Sequence, residues 1–357
     1  MQNYFITTPQ KLQELDFLRD TYKGKDGQLK ERPWRVKKMA NELLALAYDE
    51  VDPKKAARLR ECGRVLTYRV FDDGTKRLAR MTSCRVRLCP ICTWRRSLVN
   101  FATNLQIVNY LESQKPRGWI FATLTLKRCN GSELAEQIDR ILYAYKKLLL
   151  QADVKKAVKG AYRGLEITHD TTEFVTTDML KKRPNFAEQG LAVGDRNPLF
   201  DTYHVHLHCI FMTTSSYFKN KTYLTQADWT QAWQQALCVD YTPVVDIKRI
   251  RPKDGSIAGA VGEVSKYATK SNDYLIPDDW ELTINTVRLL DEVLNKRRFV
   301  AYSGELLRAK RELKLKDADD ADLTHIDGEY EDSAEQGREV SYFWYTGYRQ
   351  YGKPKDR

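Results

Sequence analysis

Apolar and polar positions alternate most clearly over residues 203–211, where Tyr203-His204-Val205-His206-Leu207-His208-Cys209 runs into Ile210-Phe211. A strand repeats every two residues, so Val205, Leu207 and Cys209 share one face and His204, His206 and His208 the other. The same reading predicts strands at Trp119–Leu126, Tyr162–Thr168 and Pro243–Ile250. Helical patterning marks Pro33–Leu46, Trp94–Leu111, the run ELAEQIDRILYAYKKLLLQ that Ser132 can cap, Asp228–Leu237 and Ala258–Lys270. Residues 171–202, interrupted by Pro184, Gly190, Gly194 and Pro198, read as a long excursion. The order strand, helix, strand, strand, helix, strand, helix predicts an α+β fold, a central antiparallel sheet with helices packed on it. The aromatic tail (Tyr342-Phe343-Trp344-Tyr345, Tyr348, Tyr351) is expected to dock on the chain's own body.

Composition bounds this picture without adding chemistry. The 357 residues, 42% hydrophobic and 30% charged, suit a soluble protein of two or three domains. The opening MQNYFITTPQ lacks the pattern of a secretion signal, and no apolar run reaches membrane-spanning length. A cytoplasmic protein with no membrane partner is expected. Charge changes more. The net value is +11, and residues 54–100 hold thirteen Lys/Arg against three Asp/Glu. Such a concentrated basic stretch is the footprint of a polyanion binder. Residues 317–335 are the reverse, acidic with no Lys or Arg.

Four of the seven cysteines, Cys62, Cys84, Cys89 and Cys92, lie in the basic stretch. Cys84-x4-Cys89-x2-Cys92 has the spacing of a zinc turn, and no histidine precedes His169, so Cys62 supplies the fourth ligand if the site is local. A tetrathiolate has no open position for substrate, which makes the expected Zn²⁺ structural. Arg85, Arg87, Arg95 and Arg96 around it are placed to meet phosphates.

The histidine strand needs at least one oxygen ligand if it is to hold a hard, catalytically useful cation. Glu166, a carboxylate amid apolar neighbours in YRGLEIT, needs a partner and is the best candidate. On the helix after the last strand, a spacing of four puts Glu263 and Tyr267 on one face, with Lys270 a turn further on. A tyrosine oxygen becomes a nucleophile when its proton is removed or its anion stabilised, and a nearby lysine helps.

Taken in order, CRVRLCPICTWRR, FATLTL, YRGLEIT, YHVHLHCIF, DYTPVVDIKRI and EVSKYATKSNDYL resemble the plasmid rolling-circle replication initiators, in the Glu/Tyr branch of the HUH endonuclease superfamily. The later stretch KRRFVAYSGELLRAKRELKLKDADDADL also resembles that family's C-terminal region, so the likeness covers roughly residues 60–325. It implies an HUH-endonuclease fold carrying a His-hydrophobic-His site for Mg²⁺ or Mn²⁺ and a tyrosine nucleophile. Residue by residue, it implies His206 and His208 as the pair, Glu166 as third ligand, Tyr267 as nucleophile and Glu263 as the base that activates water at termination. Val205 stands where many members have proline, and His204 is in register, so His204/His206 is the alternative pair. The expected organisation is an N-terminal helical extension (1–50), a zinc-binding, basic DNA-binding segment (51–115), the HUH catalytic domain (116–280) and a C-terminal helical region with acidic and aromatic tail (281–357).

The activity implied is metal-dependent nicking and strand transfer on single-stranded or hairpin DNA at a plasmid double-strand origin, through a 5′-phosphotyrosine that leaves a 3′-OH primer. The chain has no G-x4-G-K-[ST] loop, so a host helicase and DNA polymerase are the expected partners. An HUH relaxase or transposase, and a non-catalytic zinc-containing DNA-binding regulator, are the competing readings.

Overall fold

The computed structural model describes residues 15–24, 27–251, 261–262, 265, 270–326 and 337–355. Most of the helix expected at Ala258–Lys270 lies outside the described residues, and Glu263 and Tyr267 with it. In chain order the elements begin with β1 (Leu15–Phe17), β2 (Thr21–Lys23), β3 (Leu29–Glu31), α1 (Trp34–Asp49), α2 (Pro53–Glu61), β4 (Val65–Val70), β5 (Lys76–Met81) and α3 (Pro90–Gln114). Then come β6 (Arg117–Thr125), α4 (Leu134–Leu150), α5 (Ala152–Ala157), β7 (Gly160–Asp170), α6 (Thr177–Lys182), α7 (Pro184–Glu188) and β8 (Thr202–Thr214). The rest are α8 (Gln226–Leu237), β9 (Val245–Arg249), α9 (Trp280–Val293), β10 (Val300–Ser303), α10 (Gly304–Glu312), β11 (Arg338–Tyr345) and β12 (Gln350–Pro354). Among the described residues, no helix is long and apolar enough to cross a membrane.

This α+β chain divides into two compact units, 1–102 with 283–288 and 316–357, and 103–282 with 289–315. These limits cut across the four segments expected from sequence, because the tail folds into the first unit as strands. There the sheet order is β1-β12-β11-β4-β5, and β11 runs antiparallel to β4 from Arg338↔Val70 to Phe343↔Val65. The aromatic tail thus docks on the chain's own body: Tyr351 is fully buried and its hydroxyl donates to the Gly63 carbonyl at 2.6 Å. Trp34 and Tyr68 both donate to the Asp20 carboxylate at 2.8 Å, which satisfies their polar ends inside the core.

The second unit is an antiparallel sheet in the order β10-β7-β8-β6-β9. Val205, Leu207, Cys209 and Phe211 on one face of β8 are at most 1% exposed. Phe211 stacks with Tyr145 of α4 (6.5 Å between ring centres) and Trp229 of α8 (5.2 Å), so two helices cover that face. Each large apolar side chain buried there contributes roughly 1.5–3 kcal/mol. A slip of one residue would exchange them for imidazoles, so packing on this face dictates where the histidines point.

Two helix starts differ from expectation because the caps lie elsewhere. A 3₁₀ turn at Gly131–Glu133 precedes α4, and Glu133 accepts from the Asn130 N–H at 3.0 Å, so Asn130 rather than Ser132 begins the helical path. Thr225 and Asp228 form a reciprocal capping box that starts α8 at Gln226. The excursion after β7 holds α6 and α7. Asn197 and Arg183 anchor it by donating to the buried Asp170 carboxylate at 2.9 and 2.6 Å. On β7's outer side, β10 pairs only with Ala161–Gly164. Beyond that point, no strand flanks this edge among the described residues.

Candidate functional site

The β7–β8 register sets Glu166 directly opposite His206, with His208 opposite Gly164 and His204 opposite Thr168. All four side chains therefore leave the sheet on the face that α4 and α8 do not cover. Glu166 Oε2 lies 2.9 Å from His208 Nε2 and 3.6 Å from His206 Nε2. These three groups lie close enough together to hold one metal ion. Two imidazoles and a carboxylate are a donor set for a divalent cation that keeps positions free for substrate oxygens. Thr123 Oγ1 is 3.2 Å from His208 Nδ1 and steadies that ring, whereas His206 Nδ1 is buried without a hydrogen-bond partner. Burial alone would raise the Glu166 carboxyl. Hydrogen bonds from His206 and His208, with Lys270 adding to them, outweigh it and hold the group well below the usual carboxylate range. It is thus ionised and ready to bind a cation.

Lys270 reaches this site, its Nζ 2.9 Å from Glu166 Oε1. His204 stays outside the trio. Its ring centre is 5.3 Å from that of His206, and it does not meet Glu166. Burial first, then the charges of His206, Arg128 and Arg183, lower its pKa to about 4. Glu263 and Tyr267 lie outside the described residues, so the site has no geometry for them.

In the first unit, Cys62 follows α2, Cys84 follows β5, and Cys89 and Cys92 bracket the start of α3, where Pro90 occupies the first helical position. The four buried sulfurs lie within 4.8 Å of one another, and the closest pairs are 3.6, 3.6 and 3.8 Å apart. Those spacings exceed any disulfide. They match the edge of a tetrahedron with metal–sulfur bonds of about 2.3 Å, an edge of about 3.8 Å. Donors already point at the sulfurs: Cys84 N–H at Cys62 Sγ (3.4 Å), Cys92 N–H at Cys89 Sγ (3.5 Å) and Asn41 Nδ2 at Cys89 Sγ (3.3 Å). Lys38, 1% exposed, donates to the Arg60 and Cys62 carbonyls at 2.8 and 2.9 Å, bringing a positive charge beneath the cluster. Both the geometry and the charge fit a zinc tetrathiolate.

The four arginines expected at phosphates make other contacts. Arg95 is 1% exposed, donates to the Leu323 and Thr324 carbonyls at 2.7 and 2.8 Å, and lies over the rings of Trp34 and Trp94. Arg87 and Arg96 pair with Asp319 at 2.8 and 3.2 Å, while Arg85 donates to the Asp319 and Ala321 carbonyls. The basic stretch thus straps down residues 319–324 at the start of the acidic segment. Arg95→Ala is expected to cost roughly 2–4 kcal/mol, because it strands the buried Leu323 carbonyl and the part-buried Thr324 carbonyl. Urea melts measure that loss. Unchanged stability with weakened DNA affinity would return Arg95 to the phosphates.

Sequence reasoning passed over Asn104 and His169, which contact Ser265 and Asp273 on either side of residues 266–269. No single-residue signal marks either one.

Comparison with known proteins supplies context for this geometry. Residues 75–352 match the replication protein family. The chain is 34% identical over 349 residues to a protein rep from Bacillus amyloliquefaciens, covering 90% of this chain and 94% of that one. It is 36% identical over 289 residues to a protein rep from a Bacillus species (76% and 85% covered). A third protein rep, from Lactiplantibacillus plantarum, is 33% identical over 324 residues (88% and 93% covered). No solved structure matches.

Proposed function

The chain belongs to the replication protein family, that of the plasmid rolling-circle initiators, and from that premise we propose that it nicks one strand of plasmid origin DNA through a covalent tyrosine intermediate. The observation that carries this reading is the convergence of Glu166, His206 and His208 on one sheet face, with Lys270 against Glu166 and Tyr267 three residues before it. A five-stranded antiparallel sheet with the paired histidines on its central strand agrees with the HUH-endonuclease fold.

A Mg²⁺ or Mn²⁺ ion held by these three residues would supply Lewis-acid polarisation of the scissile phosphate. Tyr267 Oη bonds to phosphorus as the bond to the 3′ oxygen breaks. The phenol loses its proton and the departing oxygen gains one, leaving a 5′-phosphotyrosine and a free 3′-OH. Lys270 brings a positive charge beside the attacking phenolate. Glu263 acts as general base on water at the end of a round and releases the protein. The exchange conserves the phosphodiester's energy, so strands can be rejoined without ATP. The Cys62, Cys84, Cys89 and Cys92 cluster would hold a structural Zn²⁺. Single-stranded or hairpin origin DNA is the substrate, and a host helicase and polymerase complete replication.

Incubation with a single-stranded origin oligonucleotide and Mn²⁺ tests the reading. An adduct that survives a denaturing gel is expected; its absence with metal bound would refute the proposal. The ligand set makes a separate prediction. His206→Ala and His208→Ala should each weaken Mn²⁺ binding by at least about 100-fold, more than the loss of an outer-shell partner, while His204→Ala changes it by less than about threefold. Calorimetric titration decides between the pairs, and equal losses for His204→Ala and His208→Ala would admit His204 to the site.

A further inference from the structure

We infer that Asn104 and His169 are positioning residues for the nucleophile: they tie the chain on either side of residues 266–269 to the strand that carries Glu166. The inference rests on the nicking reading above, since it concerns how Tyr267 meets that site.

The upstream tie is a buried polar relay. Ser265, 2% exposed, donates through Oγ to the Val261 carbonyl at 2.6 Å and accepts from Asn104 Nδ2 at 3.0 Å. Asn104, also 2% exposed, accepts at Oδ1 from the Tyr302 hydroxyl at 2.9 Å. Tyr302 of β10 stands opposite Tyr162 of β7, the rings 5.1 Å apart. Tyr162 precedes Glu166 by two strand periods and so shares its face. An amide, two hydroxyls and a carbonyl are thus matched to one another where apolar packing would have been simpler. Matched polar groups in a core admit one arrangement, because any other leaves a buried donor unsatisfied.

The downstream tie approaches from the opposite face. His169 lies three residues beyond Glu166, with its ring stacked on Tyr203 at 4.2 Å and 7°. Its Nδ1 lies 3.1 Å from the Asp273 carbonyl oxygen and its Nε2 lies 2.8 Å from the Asp201 carboxylate. Lys270, at the head of the same turn, holds Glu166 on the first face. The turn from Lys270 to Asp273 therefore grips both faces of β7, at the edge that β10 no longer covers. Ser265 and Lys270, the described residues flanking the four between them, are both referred to one strand.

Misplacing a reacting group by about 1 Å costs on the order of 100-fold in rate. The full-length variants Asn104→Ala, His169→Ala and His169→Gln test the assignment by single-turnover adduct formation with the origin oligonucleotide and Mn²⁺. Both alanine variants are expected to slow adduct formation by about 10- to 100-fold. Oligonucleotide binding in EDTA and Mn²⁺ affinity should stay within about twofold, a split that a merely structural role would not produce. His169→Gln keeps one donor for Asp273 and should recover part of the rate. Where an alanine variant does not fold, Ser265→Ala and the milder surface change Asp201→Asn loosen the same ties and should slow attachment in the same way. Wild-type adduct rates in folded variants, or losses of rate that merely follow losses of binding, overturn the inference and leave the nicking reading standing. No adduct from the unmodified chain overturns that reading itself.

Discussion

Tyr267→Phe is expected to abolish covalent attachment to a single-stranded origin oligonucleotide while binding persists. The substitution removes one oxygen and no charge, so the protein's electrostatic attraction for DNA is untouched. What disappears is the atom that forms the bond to phosphorus. Loss of a nucleophile lowers rate by roughly 10⁴-fold or more, about 5.5 kcal/mol of transition-state stabilisation. The measurement is a denaturing-gel shift, with mass spectrometry of the wild-type adduct to locate the modified residue among the 20 tyrosines. Full attachment by Tyr267→Phe, or an adduct mapped elsewhere, removes the assignment. Glu263→Ala separates the two halves of the cycle: it should still nick but release slowly, because its role begins only when water replaces the 3′-OH as attacker. Normal turnover by that variant would leave termination to another base.

Local periodicity made the centre of the second unit readable. The alternation in β8 announced both its buried and its histidine face, and an apolar core under α4 and α8 enforces that choice. The convergence of Glu166 on His206 was within reach once YRGLEIT was read as a strand, since adjacent strands must bring some residue opposite His206. Choosing between His204 and His208 was not. Both lie one strand period from His206, and the difference is the direction in which the Glu166 side chain leans, towards His208 at 2.9 Å. A two-residue period carries no information about rotamers.

The first unit was harder for another reason. Its sheet joins β4 to β11, so Thr67 meets Ser341 from 274 positions away, and no local pattern announces such a pairing. The same distance hid the fate of the arginines. A basic stretch and an acidic stretch were each evident from composition, but that Asp319 would take Arg87 and Arg96 was not. The short hairpin of β4 and β5, by contrast, turns at Asp73-Gly74, a turn signal that could have been found.

Treating the protein with a zinc chelator, or replacing Cys89 with Ser, should unfold the first unit at temperatures that leave the untreated wild type intact. Cys89 is fully buried, touches Cys62 at 3.6 Å and accepts from Asn41, so its sulfur is tied to α1, α2 and α3 at once. Four thiolates around one Zn²⁺ would join the ends of α2, β5 and α3 at one point, and binding energy at such a site is folding energy. Small zinc modules draw on the order of 10 kcal/mol from the metal. A loss of several kcal/mol is therefore the expected scale here, where β4, β11 and their neighbours also contribute. The charge of Lys38 sharpens the prediction. Burial depresses its pKa, while the neighbouring cysteines and Glu42 raise it again. A thiolate cluster above it would add to the Arg60 and Cys62 carbonyls in offsetting the desolvation of an ammonium at 1% exposure. Lys38→Met should weaken zinc retention and also cost the apo fold about 1–3 kcal/mol, because it strands the Arg60 and Cys62 carbonyls. Elemental analysis should find one zinc per wild-type chain and none in Cys89→Ser. Equal melting of the two proteins, with no zinc in either, would reduce the cluster to four buried thiols.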